Sequence, residues 1–240
     1  METSYLYLDN FRGFKDSLLP IKDVNFFVGE NSTGKSSILA LIKLIEDVRS
    51  FWMSARPQFT STDVDLGNFD DIVSIHSRNR TYFRIGMINA IEKDGQSKCK
   101  GFLLTFKKRE GMPSVYRYTF RDVGKQIDFK YGTNRIWYKY QEPSELSGCS
   151  INEIKKIFDE WSHLHEKNVR GYRVLPKRII LTSLAYLNSL LAMEVEREED
   201  VGKRLLQFEF VKFFEGNTKW IAPIRSKPKR TYDLYGVGCQ

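Results

Sequence analysis

An α/β fold is predicted by three successive patterns in the 240-residue chain. A short apolar run, a glycine-rich loop and an amphipathic segment follow one another between positions 22 and 48. Apolar and polar residues then alternate from 82 to 140, and from Ser150 the apolar residues recur at helical spacing. The sequence therefore predicts a strand–loop–helix unit, an antiparallel meander and a helical segment, in that order.

The composition indicates a globular, cytoplasmic protein. Hydrophobic residues make up 41% of the chain and aromatic residues 14%, which suffices for a packed core. No segment approaches the ~18 uncharged apolar residues that a membrane span needs, and the first residues lack the pattern of a secretory signal. Three scattered cysteines, Cys99, Cys149 and Cys239, fit free thiols in a reducing cytoplasm. The net charge of +8 favours acidic partners such as nucleic acid, or serves solubility alone.

Two strands are predicted before the glycine-rich loop. Residues 4–8 form the first, residues 9–14 form a turn, and Leu18 to Ile21 lead towards the second. The second is a short apolar run that predicts a buried strand, formed by Val24, Phe26, Phe27 and Val28.

The glycine-rich loop, Gly29-Glu-Asn-Ser-Thr-Gly-Lys-Ser-Ser37, matches the pattern G-x-x-x-x-G-K-[ST] of a phosphate-binding P-loop. A helix is predicted directly after it by apolar residues at 38, 39, 41, 42, 45 and 48. Glycines at 29 and 34 let successive backbone N–H groups turn onto a phosphate, and the positive end of the helix points at the same anion. Lys35 is expected to reach the β- and γ-phosphates, and Ser36 to ligate Mg²⁺.

The sequence therefore predicts a site for ATP and Mg²⁺ in the first 40 residues or so. The P-loop residues predicted to bind this cofactor are Gly29, Asn31, Ser32, Thr33, Gly34, Lys35, Ser36 and Ser37. Ser36 is the predicted metal ligand, and no catalytic residue is assigned.

Five alternating segments predict an antiparallel meander with one buried face. Their apolar positions lie in Tyr82–Ile91, 102–106, 116–120, 127–131 and 136–140. Basic residues occupy much of the other face, which is interpreted either as solvated or as facing nucleic acid: Lys107, Arg117, Arg121 and Lys139.

Helical spacing begins with Ile151, Ile154, Ile157, Phe158, Trp161 and Leu164. Two further helices are predicted at 179–195 and 205–214, and a short strand at 218–221. These elements divide the chain into a nucleotide-binding lobe with the meander (1–145), a helical insertion or arm (146–216), and a return strand with a Pro/Arg-rich segment (217–240) that is expected to be incomplete at its end.

Three stretches resemble ABC-type ATPases of the SMC, RecF and OLD-like (overcoming lysogenisation defect) group. The first is Leu8-Asp-Asn-Phe-Arg-Gly-Phe14 together with the P-loop. The others are Asp65–Val73 and Ile221-Ala-Pro-Ile-Arg-Ser-Lys-Pro-Lys-Arg-Thr-Tyr232, which are similar to segments of prokaryotic AAA-type ATPases. ATPases of this kind occur in anti-phage systems, including Septu-like modules and retron-associated ATPases.

The resemblance implies a P-loop NTPase of the ABC type, an ABC-like lobe that carries the meander and a helical insertion. It implies that Arg12 contacts the nucleotide, with a surface arginine in a turn as the alternative, and that Asn31 shapes the loop. It also implies a homodimer or higher oligomer in which two copies sandwich ATP and gate a nuclease, a toxin or nucleic-acid processing. The glutamine that holds Mg²⁺ through water in such ATPases is not placed, because the spacing of Gln58 does not fit.

The second half of such an active site is not recognised in the sequence. A Walker B strand ends in Asp and Glu, but the best apolar run, residues 178–184, has no acidic residue at its end. The Leu-Ser-Gly run at 146–148 is interpreted as a turn rather than an ABC signature. The chain is therefore expected to be an amino-terminal part of a longer ATPase or one half of a split one.

Two possible metal sites are considered and set aside. Asp63 and Asp65 are interpreted as part of a turn rather than as a metal pair. His163 and His165, at i and i+2 of a helix, do not share a face. Two functions remain: an ATPase that dimerises on ATP and gates a partner, and a non-hydrolysing scaffold that binds nucleic acid or protein when nucleotide is bound.

Overall fold

The computed structural model describes residues 2–30, 34–47, 51–52, 57–61, 64–93, 96–122, 125–143, 148–166 and 170–176. Its strands are β1 (Glu2–Asp9), β2 (Ser17–Ile21), β3 (Tyr82–Lys93), β4 (Gln96–Arg109), β5 (Met112–Asp122), β6 (Lys125–Tyr131), β7 (Arg135–Gln141) and β8 (Arg173–Pro176). Its helices are α1 (Lys35–Glu46), α2 (Phe69–Ile72) and α3 (Ile151–Glu166). None of these helices combines the length and the apolar character that crossing a bilayer requires.

The strands form one sheet in the order β2-β1-β3-β4-β5-β6-β7-β8. Every neighbouring pair is antiparallel, so the predicted meander is confirmed over β3 to β7. The alternation of side chains predicts this result because each strand of an antiparallel sheet sends successive residues to opposite faces. The two strands that precede the P-loop, β1 and β2, lie beside the meander and form one edge of the sheet.

One face of the sheet carries the main apolar core. Phe83 of β3 and Phe106 of β4 stack with ring centroids 4.9 Å apart, and the Phe59 ring meets both edge-on at 5.6 and 5.1 Å. The buried stripe of α1 packs into the same core through Ile38, Leu41, Leu44 and Ile45. The helix that follows the P-loop is thereby fixed to the sheet by apolar burial.

The other face of the sheet is covered by α3, whose buried residues include Ile154, Ile157, Phe158 and Trp161. The Phe158 ring stacks on Tyr7 of β1 at 4.5 Å. This approach needs a glycine beneath it, because a Cβ at Gly86 would lie 2.5 Å from the Phe158 ring. Residues 151–166 of the predicted insertion therefore lie on the sheet itself, and β8 extends that sheet by pairing with β7.

The predicted basic face is wrong at Arg117 and Arg121, which are buried rather than solvated or facing nucleic acid. The Arg117 guanidinium pairs with Asp128 of β6 at 2.5 Å. Lys107 alone of the four basic residues is exposed, and Lys139 is half-buried. Alternating polar residues in a strand are typical of a solvated face, but here α3 covers that face from a distant part of the sequence.

The predicted buried strand before the P-loop is also wrong. Residues 22–28 form no strand, and Val24, Phe26 and Val28 are 68%, 85% and 88% exposed. Phe27 alone of this run packs against the main core. A strand requires a neighbour for its backbone hydrogen bonds, and the described residues place no strand beside this run.

Candidate functional site

The P-loop leads into α1 through two glycines whose backbone conformations other residues rarely adopt. Gly29 has φ 152° and Gly34 has φ 91°, as the role predicted for them requires. A Cβ on Gly34 would lie 2.7 Å from Cε2 of Phe14, so the turn after β1 closes against the loop. The predicted contacts Asn31, Ser32 and Thr33 lie outside the described residues.

The start of α1 presents donors suited to a phosphate. Lys35 Nζ donates to the carbonyl oxygen of Gly29 at 2.8 Å and to that of Glu30, which holds the ammonium group over the loop. Ser36, the predicted metal ligand, is exposed. The first turn of the helix contains no acidic residue, and no side chain caps the helix at Gly34. An ammonium group and a helix amino terminus suit the phosphates of a nucleoside triphosphate, and the Ser36 hydroxyl suits its Mg²⁺ ion.

Arg12 lies in the turn after β1 and joins two elements. Its Nη1 donates to Ser37 Oγ of α1 at 3.0 Å, and its Nη2 donates to the carbonyl oxygen of Leu66 at 3.0 Å. The residue is half-buried, so it is more than a surface arginine in a turn. A direct contact between Arg12 and nucleotide stays a prediction.

The turn that carries Arg12 is held by the segment Asp65–Val73. The Arg12 backbone N–H donates to the Ile72 carbonyl at 2.7 Å, and the Ser74 N–H donates to the Asn10 carbonyl at 2.9 Å. Phe11 and Val73 form an antiparallel bridge. Two of the stretches that carry the sequence resemblance are thus in direct contact, which their separation in the chain does not reveal.

The acidic side chains Asp65 and Asp71 in this segment accept hydrogen bonds from residues close to them in the sequence. Asp71 Oδ2 accepts from the Asn68 backbone N–H at 2.9 Å and completes a capping box at α2. Asp65 Oδ1 accepts from the Gly67 N–H at 2.8 Å and from Thr60 Oγ1 at 3.1 Å. These bonds are those of a turn, as the sequence indicates, and Asp63 lies outside the described residues. No group of three or more His, Cys, Asp and Glu side chains within the described ranges is arranged to hold a metal ion.

A second polar cluster lies beneath α3 and contains a hydroxyl, an imidazole and a carboxylate. His165 Nε2 is 2.7 Å from Thr119 Oγ1 and 3.3 Å from Asp128 Oδ1, and His165 Nδ1 is 2.6 Å from Thr105 Oγ1. The His165 and Asp128 side chains are fully buried. The Thr119 hydroxyl donates to Asp128 at 2.6 Å, so its proton is directed at the carboxylate rather than at the imidazole. Because substrate cannot reach this cluster, we interpret it as structural.

The hydrogen bonds of His165 fit a neutral imidazole. Nε2–H can donate to Thr119, and Nδ1 can accept from Thr105, so both ring nitrogens are satisfied without a second proton. Burial lowers the pKa of His165, and the Arg84 and Arg117 charges lower it further against the opposing effect of Asp128. Burial also disfavours the ionised carboxylate of Asp128, but His165, whose Nε2 lies 3.3 Å from it, the Arg117 charge and the Thr119 hydroxyl outweigh burial and lower the pKa of Asp128.

These shifts predict a pH dependence of stability. The unfolded chain binds a proton at His165 near pH 6.5, whereas the folded protein resists that proton, so the free energy of unfolding should fall as the pH drops below about 6.5. The slope from this group should approach about 1.4 kcal/mol per pH unit. Asp128 adds a further loss only below about pH 4.

Urea unfolding between pH 5 and pH 8 measures this effect. His165→Gln should flatten the slope, while His163→Gln, on an exposed position of the same helix, should keep it. An unchanged slope in His165→Gln would show that other groups cause the pH dependence.

The remaining sequence predictions concern residues that do not contribute to the site described above. The apolar run 178–184, the helices predicted at 179–195 and 205–214, and the segment 217–240 lie outside the described residues. Gln58 is exposed and receives no role. Sequence reasoning missed the contact of Arg12 with Ser37, for which the only local signal is an arginine in a turn between two strands.

A family model described as an AAA ATPase domain matches residues 1–186, a range that contains the P-loop, the Arg12 turn and the segment Asp65–Val73. No curated protein sequence matches the chain.

Proposed function

The chain belongs to the AAA ATPase domain family, whose P-loop NTPase fold binds nucleotide, and we propose that it binds ATP with Mg²⁺ between Gly29 and Ser37. The observation that carries this proposal is the arrangement at the start of α1. Lys35, bonded to the Gly29 carbonyl at 2.8 Å, would move its ammonium onto the β- and γ-phosphates. Ser36 would ligate Mg²⁺, which when bound neutralises phosphate charge.

The further proposal is an ABC-like ATPase that dimerises on ATP and gates a partner effector or nucleic-acid processing in anti-phage defence. Its support is the resemblance of Leu8–Phe14, the P-loop and Asp65–Val73 to such ATPases, together with one structural observation. The run Val24, Phe26 and Val28 is exposed directly before the P-loop, although apolar residues at this spacing are typical of a covered strand. This exposure favours a nucleotide site that is completed by chain beyond the described residues, in the same copy or in another.

Lys35→Ala tests nucleotide binding directly. The variant should weaken ATP affinity roughly 10- to 100-fold, because the lost interaction is a hydrogen bond between opposite charges. The measurement is a titration of the 240-residue chain with a fluorescent ATP analogue, with and without Mg²⁺. Lys43→Ala, in the last turn of the same helix, is the matched control and should bind as the wild type does. Equal affinities of the wild type and Lys35→Ala would contradict the proposal.

A second candidate function is a scaffold that binds nucleotide without turnover and holds nucleic acid or protein. The Tyr116 ring favours it, because Lys107 Nζ lies 3.8 Å and Lys130 Nζ 5.6 Å from its centroid. Aromatic rings beside ammonium groups are suited to single-stranded nucleic acid. Phosphate release by the same protein separates the two functions. Sustained release that Lys35→Ala abolishes would exclude the scaffold, and nucleotide binding without release would exclude the ATPase for this chain.

A further inference from the structure

Arg12 has a left-handed backbone conformation, which residues other than glycine adopt only at a cost in free energy. Its φ is 48°, and two other residues of the same turn, Asn10 and Asp16, have φ of 56° and 45°. Such conformations persist only where surrounding contacts hold them, and they concentrate at functional sites. Here the Asn10 side chain helps to stabilise the turn, because its Nδ2 donates to the backbone carbonyls of Asn79 at 2.7 Å and Tyr82 at 2.5 Å.

The constrained turn directs the Arg12 side chain between α1 and the segment Asp65–Val73. One terminal nitrogen bonds Ser37 of α1, and the other bonds the Leu66 carbonyl in the segment before α2, each at 3.0 Å. The backbone N–H of the same residue bonds the Ile72 carbonyl at the end of α2. A single residue thus ties the P-loop helix to the segment Asp65–Val73 through both its main chain and its side chain.

Ser37, which the sequence also predicts to bind nucleotide, lies on a different side of α1 from Lys35 and Ser36. Ser37 is buried, whereas Ser36 is exposed. Successive residues of a helix are about 100° apart, so fixing the Ser37 hydroxyl fixes the rotation of the first turn. That rotation in turn sets the direction of Lys35 and Ser36.

We propose that Arg12 is a positioning residue of the nucleotide site, which acts through Ser37 and Leu66. This inference rests on the proposed nucleotide binding and adds the regulation of its geometry by the segment Asp65–Val73. The planar guanidinium suits the task because its two terminal nitrogens reach two acceptors at once. A lysine carries its three donors on a single nitrogen and lacks the planar fork that spans two separated acceptors.

A double-mutant cycle tests the proposal. Arg12→Ala and Ser37→Ala should each weaken ATP affinity in Mg²⁺ about tenfold, and the double variant should be no weaker than either. Arg12→Lys, which keeps the positive charge but not the two terminal nitrogens, should lose affinity as Arg12→Ala does. Lys15→Ala is the matched control, since it removes a positive charge from an exposed position of the same turn and should leave affinity unchanged.

Hydrogen exchange in the nucleotide-free protein gives an independent measurement. Arg12→Ala should speed the exchange of backbone amides in both the start of α1 and residues 64–74, whereas Lys15→Ala should change neither. This comparison stands even if the wild type binds no nucleotide, an outcome that would defeat the proposed function but not the link between the two elements. Additive losses of affinity, or a Ser37→Ala variant that binds like the wild type while Arg12→Ala does not, would assign Arg12 to the nucleotide and overturn the proposal.

Discussion

Replacing Asp128 with asparagine is expected to lower the free energy of unfolding by about 3–5 kcal/mol, because it removes the carboxylate that pairs with a buried guanidinium. Both side chains of the Arg117–Asp128 pair are fully buried. Tyr172 OH also donates to Asp128 Oδ2 at 2.5 Å and lies 3.0 Å from Arg117 Nη1. The Asp128 carboxylate of β6 therefore contacts three other parts of the fold, which are β5, α3 and the chain just before β8. Its loss should loosen the cover that α3 provides as well as the pair itself.

Urea unfolding followed by tryptophan fluorescence measures this loss, and the Trp161 indole on α3 donates to Gln126 Oε1 at 2.9 Å beside the cluster. Asp159→Asn is the matched control: it is the same substitution on α3, at a carboxylate whose side chain is 57% exposed and pairs with Lys155. An exposed pair of this kind contributes at most about 1 kcal/mol. If the two variants lost the same free energy of unfolding, the buried Arg117–Asp128 pair would not stabilise the fold more than an exposed pair does.

The meander and α3 could be predicted from the sequence because their signals are local. Alternation in β3 to β7 follows from the geometry of each strand, and the recurrence of Ile154, Ile157, Phe158 and Trp161 follows from the helical turn. Both patterns survive folding because the faces that they define are the faces that pack. The glycines of the P-loop belong to the same class, since spacing alone indicates the backbone conformations that they need.

Features that depend on a distant neighbour could not be predicted in this way. Arg117 and Arg121 alternate with apolar residues as solvated side chains do, and only the position of α3 shows that they are buried. The run before the P-loop has the composition of a strand, but a strand exists only beside a partner. The Arg12 contact with Leu66 spans 54 positions in the sequence, so neither residue indicates the other. In each case the local pattern is compatible with more than one environment.

Replacing Phe11 with alanine is expected to reduce stability and nucleotide affinity together. Phe11 is fully buried between Asn10 and Arg12, and its ring meets Phe83 of β3 edge-on at 6.0 Å. Truncating a buried phenylalanine costs about 3–5 kcal/mol. The ring also anchors the turn whose Phe14 closes against Gly34, so its loss should release both Phe14 and Arg12 from the P-loop.

Phe129→Ala provides the comparison that separates the two effects. Phe129 is equally buried on the same face of the sheet, but it lies on β6, four positions from β1 in the strand order. The two variants should lose similar stability in urea unfolding, whereas only Phe11→Ala should bind ATP more weakly at a temperature where both remain folded. If Phe129→Ala lost as much affinity, binding would depend on global stability alone. A loss confined to Phe11→Ala would show instead that packing in the core affects nucleotide affinity through the turn at residues 9–16. In that turn β1 ends, the Arg12 side chain bonds α1, and the Phe14 ring packs against Gly34 of the P-loop.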